Sequence, residues 1–255
     1  MPESPRYLLI DISNSFTKVA MASPRRVGQP RRIATDKLNR AFLQRFIGRG
    51  KVDVVVTASV VPRKNSEVTA GAAGTPVLWV SSDLQLGVGI KYPQPKSIGA
   101  DRLANAAAVA ALYGAPAIVV DFGTAVTFDI VSARKKYVGG VITPGLEAMT
   151  SFLYQKTALL PKISLREPRR AIGRSTIEAM RAGAVLGYRG LVSAILARIR
   201  RESFARQRVH VVATGGYARL IAAKLRDIDA VRPNLTLEGL RIIANLNGQM
   251  AKKAR

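Results

Sequence analysis

Cysteine is absent from the 255 residues of this sequence. Its absence excludes a disulfide framework, a thiolate metal site and a cysteine nucleophile. Long apolar runs are also missing, because no stretch free of charge reaches the length of a membrane span. The first residues lack a basic region followed by a long apolar stretch, so no signal peptide is expected. Together these features predict a cytoplasmic protein that does not bind a membrane.

Acidic residues are scarce. Aspartate and glutamate number 16 against 40 lysines and arginines, which gives a formal net charge of +24. Such an excess predicts attraction to polyanions such as nucleic acids and nucleotides. The basic residues are dispersed and do not interleave with aromatic residues as they do on a single-strand binding face. We interpret the charge as a solvated surface that contacts nucleic acid only non-specifically, and a functional nucleic-acid site is the alternative.

Strands and helices alternate along the chain, which indicates the α/β class. The length suits one large domain or two small ones, and we expect two subdomains, residues 1–115 and residues 116–255. Ser175–Glu202 is predicted as a long helix that begins with a capping box formed by Ser175 and Glu178. Leu235–Gly239 is predicted as a loop before a last helix.

One stretch presents an acid, a glycine and a hydroxyl at a tight bend. The β-branched run Ala117–Val120 is typical of a buried strand and stops at Asp121. Gly123 and Thr124 form the turn, and a second strand follows at Val126–Val131. Glycine lets backbone N–H groups approach a phosphate closely, and the hydroxyl adds a hydrogen bond. A carboxylate beside phosphates implies a cation between them.

The same design occurs near the N-terminus. The apolar run Tyr7–Ile10 stops at Asp11, the turn follows at Ser13–Ser15, and Phe16–Met21 resumes the strand pattern. Two such hairpins, with a third glycine turn at Thr214–Gly216, predict an internally duplicated fold with a nucleotide between its halves. The alternative is two unrelated hairpins whose acids and glycines only make turns.

Asp101 and Arg102 open a predicted helix within the stretch SIGADRLAN. A carboxylate at a helix start is stabilised by the free amides and the helix dipole. Arginine supplies a planar fork for a carboxylate or a phosphate. The alternative is plain capping by Asp101 with a solvated Arg102.

These motifs resemble those of the type III pantothenate kinases, members of the acetate and sugar kinase, Hsp70 and actin superfamily. The resemblance covers nearly the whole chain, and its motifs stand in order as DISNSFTK, SVVP, GADR, DFGTA, GGVITPG and TGG. It implies a duplicated actin-like (ribonuclease H-like) ATPase fold. It also implies ATP-dependent phosphorylation of pantothenate to 4'-phosphopantothenate, the first step of coenzyme A biosynthesis.

The resemblance implies a role for each site residue. Asp101 would accept the proton of the pantothenate hydroxyl. Pantothenate would be bound by Tyr92, Gly99, Ala100, Asp101, Arg102 and Thr176. ATP would be bound by Asp11, Ile12, Ser13, Asn14, Ser15, Phe16, Thr17, Lys18, Thr124, Thr214, Gly215 and Gly216. Asp11 would hold Mg²⁺, and Asp121 would ligate a monovalent cation, K⁺ or NH₄⁺.

The resemblance further implies a homodimer with pantothenate near the subunit interface. The long helix is the candidate contact surface because apolar residues lie around much of its circumference, at Ile177, Met180, Val185, Leu191 and Leu196. Tyr92 could instead serve only packing, and Thr176 could be only the first helical residue after its cap. A non-catalytic nucleotide- or nucleic-acid-binding regulator, and a kinase for another small hydroxy acid, are the competing functions.

The motif Asp11–Lys18 departs from the family pattern at one position. Ser13 stands where the family has glycine, while Ser15 replaces threonine and keeps the hydroxyl. If the position requires a positive φ, serine costs about 1–2 kcal/mol there. The departure therefore bears on ATP affinity, while the acceptor site matches the family.

Overall fold

The structure, a computed structural model, describes residues 6–48, 52–205 and 207–253, with only the backbone described for residues 249–253. The N-terminal residues 1–5, on which the signal-peptide prediction partly rests, lie outside this part. The chain forms two compact units. The first unit comprises residues 1–114, 131–139 and 234–255, and the second comprises residues 115–130 and 140–233. The division into two domains at residue 115 stays a prediction.

The first unit is built on a five-stranded sheet with the order β3-β2-β1-β4-β5. Its strands are β1 (Tyr7–Ile12), β2 (Phe16–Ala22), β3 (Arg31–Ala34), β4 (Val54–Ser59) and β5 (Val77–Trp79). β1 pairs antiparallel with β2 and parallel with β4. All six residues of β1 are buried, because the strand is central in its sheet. Its apolar side chains pack with Leu38, Leu43 and Val68 from the flanking segments.

The helices of the first unit follow the strands in turn. They are α1 (Arg40–Ile47), α2 (Asn65–Gly71) and α3 (Ala100–Leu112), with α7 (Leu235–Lys253) at the end of the chain. The segment before α3 contains the two-residue strand β6 (Gly89–Ile90), which pairs with Lys136 and Tyr137.

The second unit carries strands in the order β11-β10-β7-β8-β9. They are β7 (Ala117–Phe122), β8 (Ala125–Val131), β9 (Lys136–Pro144), which begins in the first unit, β10 (His210–Gly215) and β11 (Ala230–Val231). Its helices are α4 (Leu146–Lys156), α5 (Thr176–Ser203) and α6 (Ala218–Ala222). β10 lies parallel to both β7 and β11.

The two sheets repeat one strand order. β3-β2-β1-β4-β5 in the first unit corresponds strand for strand to β9-β8-β7-β10-β11 in the second. α3 follows the first set along the chain and α7 follows the second. The predicted internal duplication is confirmed, and the hairpins that begin at Asp11 and Asp121 occupy equivalent places in it.

The last helix begins earlier than predicted. Residues Leu235–Gly239, predicted as a loop, form the first turn of α7, which runs to Lys253. This segment is helical because it packs closely against α3. The two helices approach so closely that a Cβ on Gly239 would lie 1.9 Å from the Ala104 carbonyl oxygen. Thr236 adds a buried 2.9 Å hydrogen bond to Asn105. The glycine therefore permits close helix contact here and does not end the helix.

The long helix α5 forms as predicted, with one change at its start. The Ser175 hydroxyl accepts the Glu178 amide at 3.3 Å, as expected for an N-cap. The Glu178 carboxylate instead accepts the amide of Arg174 at 2.8 Å, one residue before the predicted partner. α5 is the one described helix long and apolar enough to span a membrane by length and composition. It nevertheless contains the buried arginines Arg181 and Arg189, which donate hydrogen bonds within the second unit.

Candidate active site

The β1–β2 turn of the first unit places Asp11 beside a chain of hydroxyl groups. Asp11 is buried within β1 and lies opposite Lys18 on β2. The Ser13 hydroxyl donates to Asp11 Oδ1 at 3.3 Å, and the Ser13 amide donates to the Phe16 carbonyl at 3.2 Å. The strand therefore continues one residue beyond the predicted end at Asp11, and the carboxylate faces the turn from inside the sheet.

Ser13 does not adopt the strained conformation considered above. Within the described residues, the non-glycine residues with positive φ are Ala73 and Lys135. The conformational cost of about 1–2 kcal/mol for a serine with positive φ is therefore not incurred at Ser13. The turn is supported by Thr35, whose hydroxyl donates to the Ser13 carbonyl at 2.7 Å and lies 3.0 Å from the Thr17 hydroxyl.

The predicted ATP-binding residues of this hairpin differ in accessibility. The side chains of Ile12 and Thr17 are buried, and the Thr17 hydroxyl is engaged with Thr35. Asn14, Ser15 and Phe16 are exposed at its tip. The guanidinium carbon of Arg32 lies 3.3 Å from the centre of the Phe16 ring, an arrangement that holds the ring by cation–π attraction.

The β7–β8 turn of the second unit depends on glycines that leave no room for a side chain. Asp121 lies opposite Thr214 in the parallel pairing of β7 with β10. Gly215 has φ +91°, and a Cβ there would lie 2.5 Å from Asp121 Oδ1. The Gly145 amide donates to the Thr124 carbonyl at 3.0 Å. A Cβ on Gly145 would lie 2.3 Å from that same oxygen.

The structure thus gathers the predicted nucleotide residues of the second unit in one place. Asp121, Thr124, Thr214 and Gly215 lie on two adjacent strands and the turn between β7 and β8. Thr214 is buried, whereas Thr124 and Gly216 are exposed. Exposed hydroxyl and amide groups beside a carboxylate are suited to phosphate oxygens and a bridging cation.

The start of α3 folds the Asp101 carboxylate back over Gly99. Gly99 is the residue before the helix, and a Cβ there would lie 2.7 Å from Asp101 Oδ1 and 3.5 Å from Val60 Cγ1. Asp101 is the second helical residue, not the cap, and its Oδ1 accepts the Arg102 amide at 2.8 Å. The carboxylate therefore satisfies one free amide of the first turn, as the capping alternative requires, from a position that only glycine at residue 99 permits.

Burial raises the pKa of Asp101 above its ordinary value. The hydrogen bond from the Arg102 amide and the charge of Arg102 oppose this rise. The residue keeps some exposed surface, but protein atoms surround its carboxylate closely. A carboxylate with a raised pKa is a stronger base than an ordinary aspartate, which suits acceptance of a proton from an alcohol.

Two tyrosines accompany Arg102 in the first unit. The rings of Tyr92 and Tyr137 meet edge to face with centres 6.1 Å apart, and the Arg102 guanidinium lies 5.7 Å from the Tyr137 ring centre. Tyr137 is fully buried, whereas Tyr92 keeps 36% of its surface exposed. Tyr92 therefore packs through one edge and offers the rest of its ring to a ligand. Gly99, Ala100, Asp101, Arg102 and Tyr92 all belong to this unit.

Thr176 belongs to the second unit, where it is the exposed first residue of α5. Sequence reasoning missed Thr35, which supports the β1–β2 turn, and Tyr137, which supports Tyr92 and Arg102. Tyr137 is the second residue of β9, between Lys136 and Val138, and this local pattern does not reveal its contacts with Tyr92 and Arg102. Thr35 has no local pattern that reveals its contact with Ser13.

The carboxylates fit cations held jointly with a substrate. In the part of the chain that the structure describes, no three histidine, aspartate or glutamate side chains cluster as a metal cage. The Asp11 carboxylate accepts the Ser13 hydroxyl, and the Asp121 carboxylate lies close to Gly215. Mg²⁺ is commonly bound by one or two carboxylates together with substrate phosphates. A carboxylate at each turn is therefore suited to a cation shared with a substrate.

The family pattern and two relatives with similar sequences carry the same description. The pattern of the family Type III pantothenate kinase matches residues 7–198. A type III pantothenate kinase of Akkermansia muciniphila is 50% identical over 94% of this chain and 99% of its own. One of Methylacidiphilum infernorum is 42% identical over 94% of this chain and 88% of its own.

Solved structures with little sequence identity share the fold. MreB 5 of Spiroplasma citri matches all of both chains at 11% identity with a TM-score of 0.52. The ethanolamine utilization protein EutJ of Carboxydothermus hydrogenoformans covers 95% of this chain and 91% of its own at 12% identity, with a TM-score of 0.54. The duplicated actin-like fold is confirmed. With the fold, the motifs and these relatives in agreement, the chain belongs to the type III pantothenate kinase family.

Proposed function

We propose that this protein transfers the γ-phosphoryl group of ATP to the primary hydroxyl of pantothenate. The observation that carries the proposal is the start of α3, where Asp101, with a raised pKa, lies over Gly99 beside Arg102. The identity of the substrate, pantothenate, is inferred from membership of the family. Arg102 carries the charge and planar fork suited to the pantothenate carboxylate, and Tyr92 and Thr176 complete the proposed acceptor site.

Each group has one task in the proposed reaction. The hydroxyl oxygen of pantothenate attacks the γ-phosphorus, a new O–P bond forms, and the bond to the β,γ-bridging oxygen breaks to release ADP. Asp101 orients the hydroxyl and takes its proton as the bond forms. Such proton acceptance contributes roughly 10²–10⁴-fold in rate. The proton then passes to water when product leaves.

The two hairpins supply the proposed phosphate contacts, from Asp11–Lys18 in the first unit and from Thr124 in the second. Thr214, Gly215 and Gly216 are proposed to contact adenosine. Mg²⁺ at Asp11 and K⁺ or NH₄⁺ at Asp121 would neutralise charge that spreads over the phosphate oxygens. Fixed amide and hydroxyl donors at both turns assist by orienting the phosphates before reaction.

A coupled assay of ADP release tests this proposal. We expect release that requires both ATP and pantothenate, with greater turnover in KCl than in an equal concentration of NaCl. ADP release that does not depend on pantothenate would contradict the acceptor. Pantoate and pantetheine serve as comparison acceptors, because a faster reaction with either would assign the site to another small hydroxy compound.

We infer that the active form is a homodimer. Of the five residues predicted on the long helix, Met180, Val185 and Leu196 are buried within the chain, whereas Ile177 is exposed. Large exposed apolar side chains are instead concentrated in one stretch of sequence, at Ile142, Phe152, Tyr154, Leu159, Ile172 and Ile177. Light scattering of wild type and of Phe152→Glu tests this surface, and a fully active monomeric wild type would contradict the dimer.

The basic surface is proposed to contact nucleic acid only non-specifically. Binding to duplex DNA should then disappear between about 50 and 200 mM KCl, because each phosphate contact releases counterions. Kinase turnover should persist over the same range. Sequence-selective DNA binding that resists salt would favour the regulator alternative. The cytoplasmic location stays a prediction.

A further inference from the structure

We propose that a cavity in the second unit binds a small anion that carries two or more phosphate groups. The cavity has a volume of about 270 Å³ and is lined by residues of the basic loop before α5 and of its first turns. Its charged lining residues are Arg166, Glu167, Arg169, Arg170, Glu178 and Arg181. None of these residues takes part in the proposed kinase reaction.

The acidic residues of this cavity are already engaged. Glu167 accepts two hydrogen bonds from Arg189, at 3.0 and 2.6 Å, and forms an ion pair with Lys224 at 3.0 Å. The hydrogen bond from Arg189 is the main reason that the pKa of Glu167 falls to about 2. Glu178 accepts the Arg174 amide at 2.8 Å. Neither carboxylate is thus fully available to neutralise the arginines of the cavity.

In the described part of the chain, the arginines of this cavity have N–H groups that donate no hydrogen bond. Arg181 is 8% exposed, and its Nε donates to the Ser164 carbonyl at 3.2 Å. Among the described residues, no acceptor contacts its two terminal amino groups. The side chains of Arg166, Arg169 and Arg170 likewise have no hydrogen-bond or ion-pair partner in the described part of the chain, and all three are exposed. Like charges around one cavity repel each other, and an anion within it removes that cost.

The number and arrangement of the donors favour phosphates. The guanidinium groups come from the loop and from the helix, so they approach a ligand from different directions. Tetrahedral phosphate oxygens accept such forks from several sides, and arginine binds phosphate in bidentate fashion. The cavity is several times the ~30 Å³ share of one water molecule. A buried Arg181 can be reached only by a group that enters the cavity, which favours a small diphosphate or triphosphate over a nucleic acid backbone.

Isothermal titration with inorganic pyrophosphate, at 150 mM NaCl and without Mg²⁺, tests this site on the full chain. We expect saturable binding that is at least tenfold weaker in the double variant Arg169→Gln/Arg170→Gln, because hydrogen bonds to charged groups are lost. The matched control Arg201→Gln/Arg208→Gln removes the same charge from exposed positions of the same unit. It should bind pyrophosphate like wild type. Arg181→Gln should weaken binding further, and the double variant keeps the test valid if Arg181→Gln fails to fold.

Three outcomes would overturn the proposal. The first is equal weakening in the two double variants, which would mean that only total charge matters. The second is loss of pyrophosphate binding in Thr124→Ala with no loss in the cavity variants, which would assign the binding to the kinase hairpins. The third is tighter binding of citrate, or of a DNA oligomer, with the same arginine dependence, which would assign the site to another class of ligand. Citrate distinguishes phosphate recognition from general anion binding.

Discussion

The β1–β2 turn and the β7–β8 turn occupy the same place in the two copies of the repeat, but they are stabilised differently. The first turn contains Ser13 in an ordinary backbone conformation and is supported by the hydroxyl of Thr35. The second turn is enclosed by glycines, and side chains at Gly145 or Gly215 would collide with the turn or its carboxylate. Equivalent topology therefore does not impose equivalent constraints on sequence.

The difference does not lie at the position equivalent to Ser13. A Cβ on Gly123 would lie 3.4 Å from the Ala125 carbonyl oxygen and 3.8 Å from Asp121 Oδ1, which are ordinary contacts. The strict requirement for glycine in the second unit falls on Gly145 and Gly215, which approach the turn from other elements. The same contrast extends to the helices that end each repeat. α3 begins with Asp101 and Arg102, but the first turn of α7 carries Glu238, which pairs with Arg241. Duplication has produced two similar scaffolds, of which the first carries the proposed acid–base group.

The largest effect is expected at Asp101, where the two copies differ in chemistry. Asp101→Asn should lower kcat by roughly 10²–10⁴-fold, because the proton acceptor is lost. Glu238→Gln, in the first turn of α7, is the matched control and should leave kcat unchanged. Steady-state kinetics with pantothenate measures both. Near-normal turnover in Asp101→Asn would mean that Asp101 only accepts the Arg102 amide at the start of α3 and takes no part in catalysis.

The pH dependence of Asp101 has a defined sign. Because burial raises its folded-state pKa, turnover should fall as the pH drops through that raised value, above the usual ~3.9. The folded protein binds this proton more tightly than the unfolded chain does, so the stability from this group is present at low pH and is lost as the pH rises through the folded pKa. Asp101→Asn should therefore be no less stable than wild type at pH 7, as measured by thermal denaturation.

The next largest effect is expected at Gly215, the last residue of β10, where no side chain fits beside Asp121 and Phe122. Gly215→Ala should cost roughly 2–5 kcal/mol, because it combines a positive φ with overpacking against Asp121 and Phe122. At about 2–4 °C per kcal/mol, the melting temperature should fall by several degrees or more. The neighbouring Gly216→Ala is the control, since a Cβ there meets nothing within 4 Å. Equal melting temperatures for the two variants would show that the turn can relax.

A smaller effect is expected at Arg102, which tests whether acceptor binding belongs to the first unit. Arg102→Ala should raise the KM for pantothenate about tenfold or more, because a hydrogen bond to a charged group contributes roughly 1.5–3 kcal/mol. The KM for ATP should change little. Arg134→Ala, an exposed arginine of the same unit, controls for the loss of charge. If ATP binding weakens instead, the acceptor site has been assigned to the wrong residues.

The smallest effect is expected when the first turn is made more like the second. Ser13→Gly should lower stability by no more than about 1 kcal/mol, since Ser13 already has an ordinary φ and glycine loses more entropy on folding. The KM for ATP should change less than the KM for pantothenate does in Arg102→Ala. A large gain in ATP affinity would mean that the serine side chain narrows the approach to phosphate.

Much of the fold could be predicted because burial and turn chemistry are local properties. The apolar runs that end at Asp11 and Asp121 form central strands, and the glycines near them mark tight turns. The start of α7 could not be predicted, because Gly239 serves a distant contact with Ala104 and not its local conformation. A glycine that breaks a helix and one that admits a neighbouring helix look alike in sequence.

Site residues that lie in one contiguous motif could be predicted from the sequence. Residues that contact the site but lie far from it along the chain could not. Asp101 and Arg102 were identified from one short stretch, but Thr35 and Tyr137 support the site across 22 and 35 residues of sequence, from Ser13 and Arg102 respectively. The apolar pattern of α5 predicts a surface for a partner chain, whereas Met180 and Val185 are buried within the chain itself. Amphipathicity predicts that a face is covered and does not identify what covers it.

The return of α7 to the first unit has a consequence for synthesis on the ribosome. α7 packs against α3, β1 and β4, so the first unit lacks one of its helices until the end of the chain is made. At ~5–20 residues per second, translation of the intervening chain takes on the order of 10 s, during which the apolar surfaces that α7 covers stay open to chaperones. The second unit also depends on late residues, because its strands β10 and β11 end at Gly215 and Val231. Neither unit can therefore be complete until synthesis approaches the end of the chain.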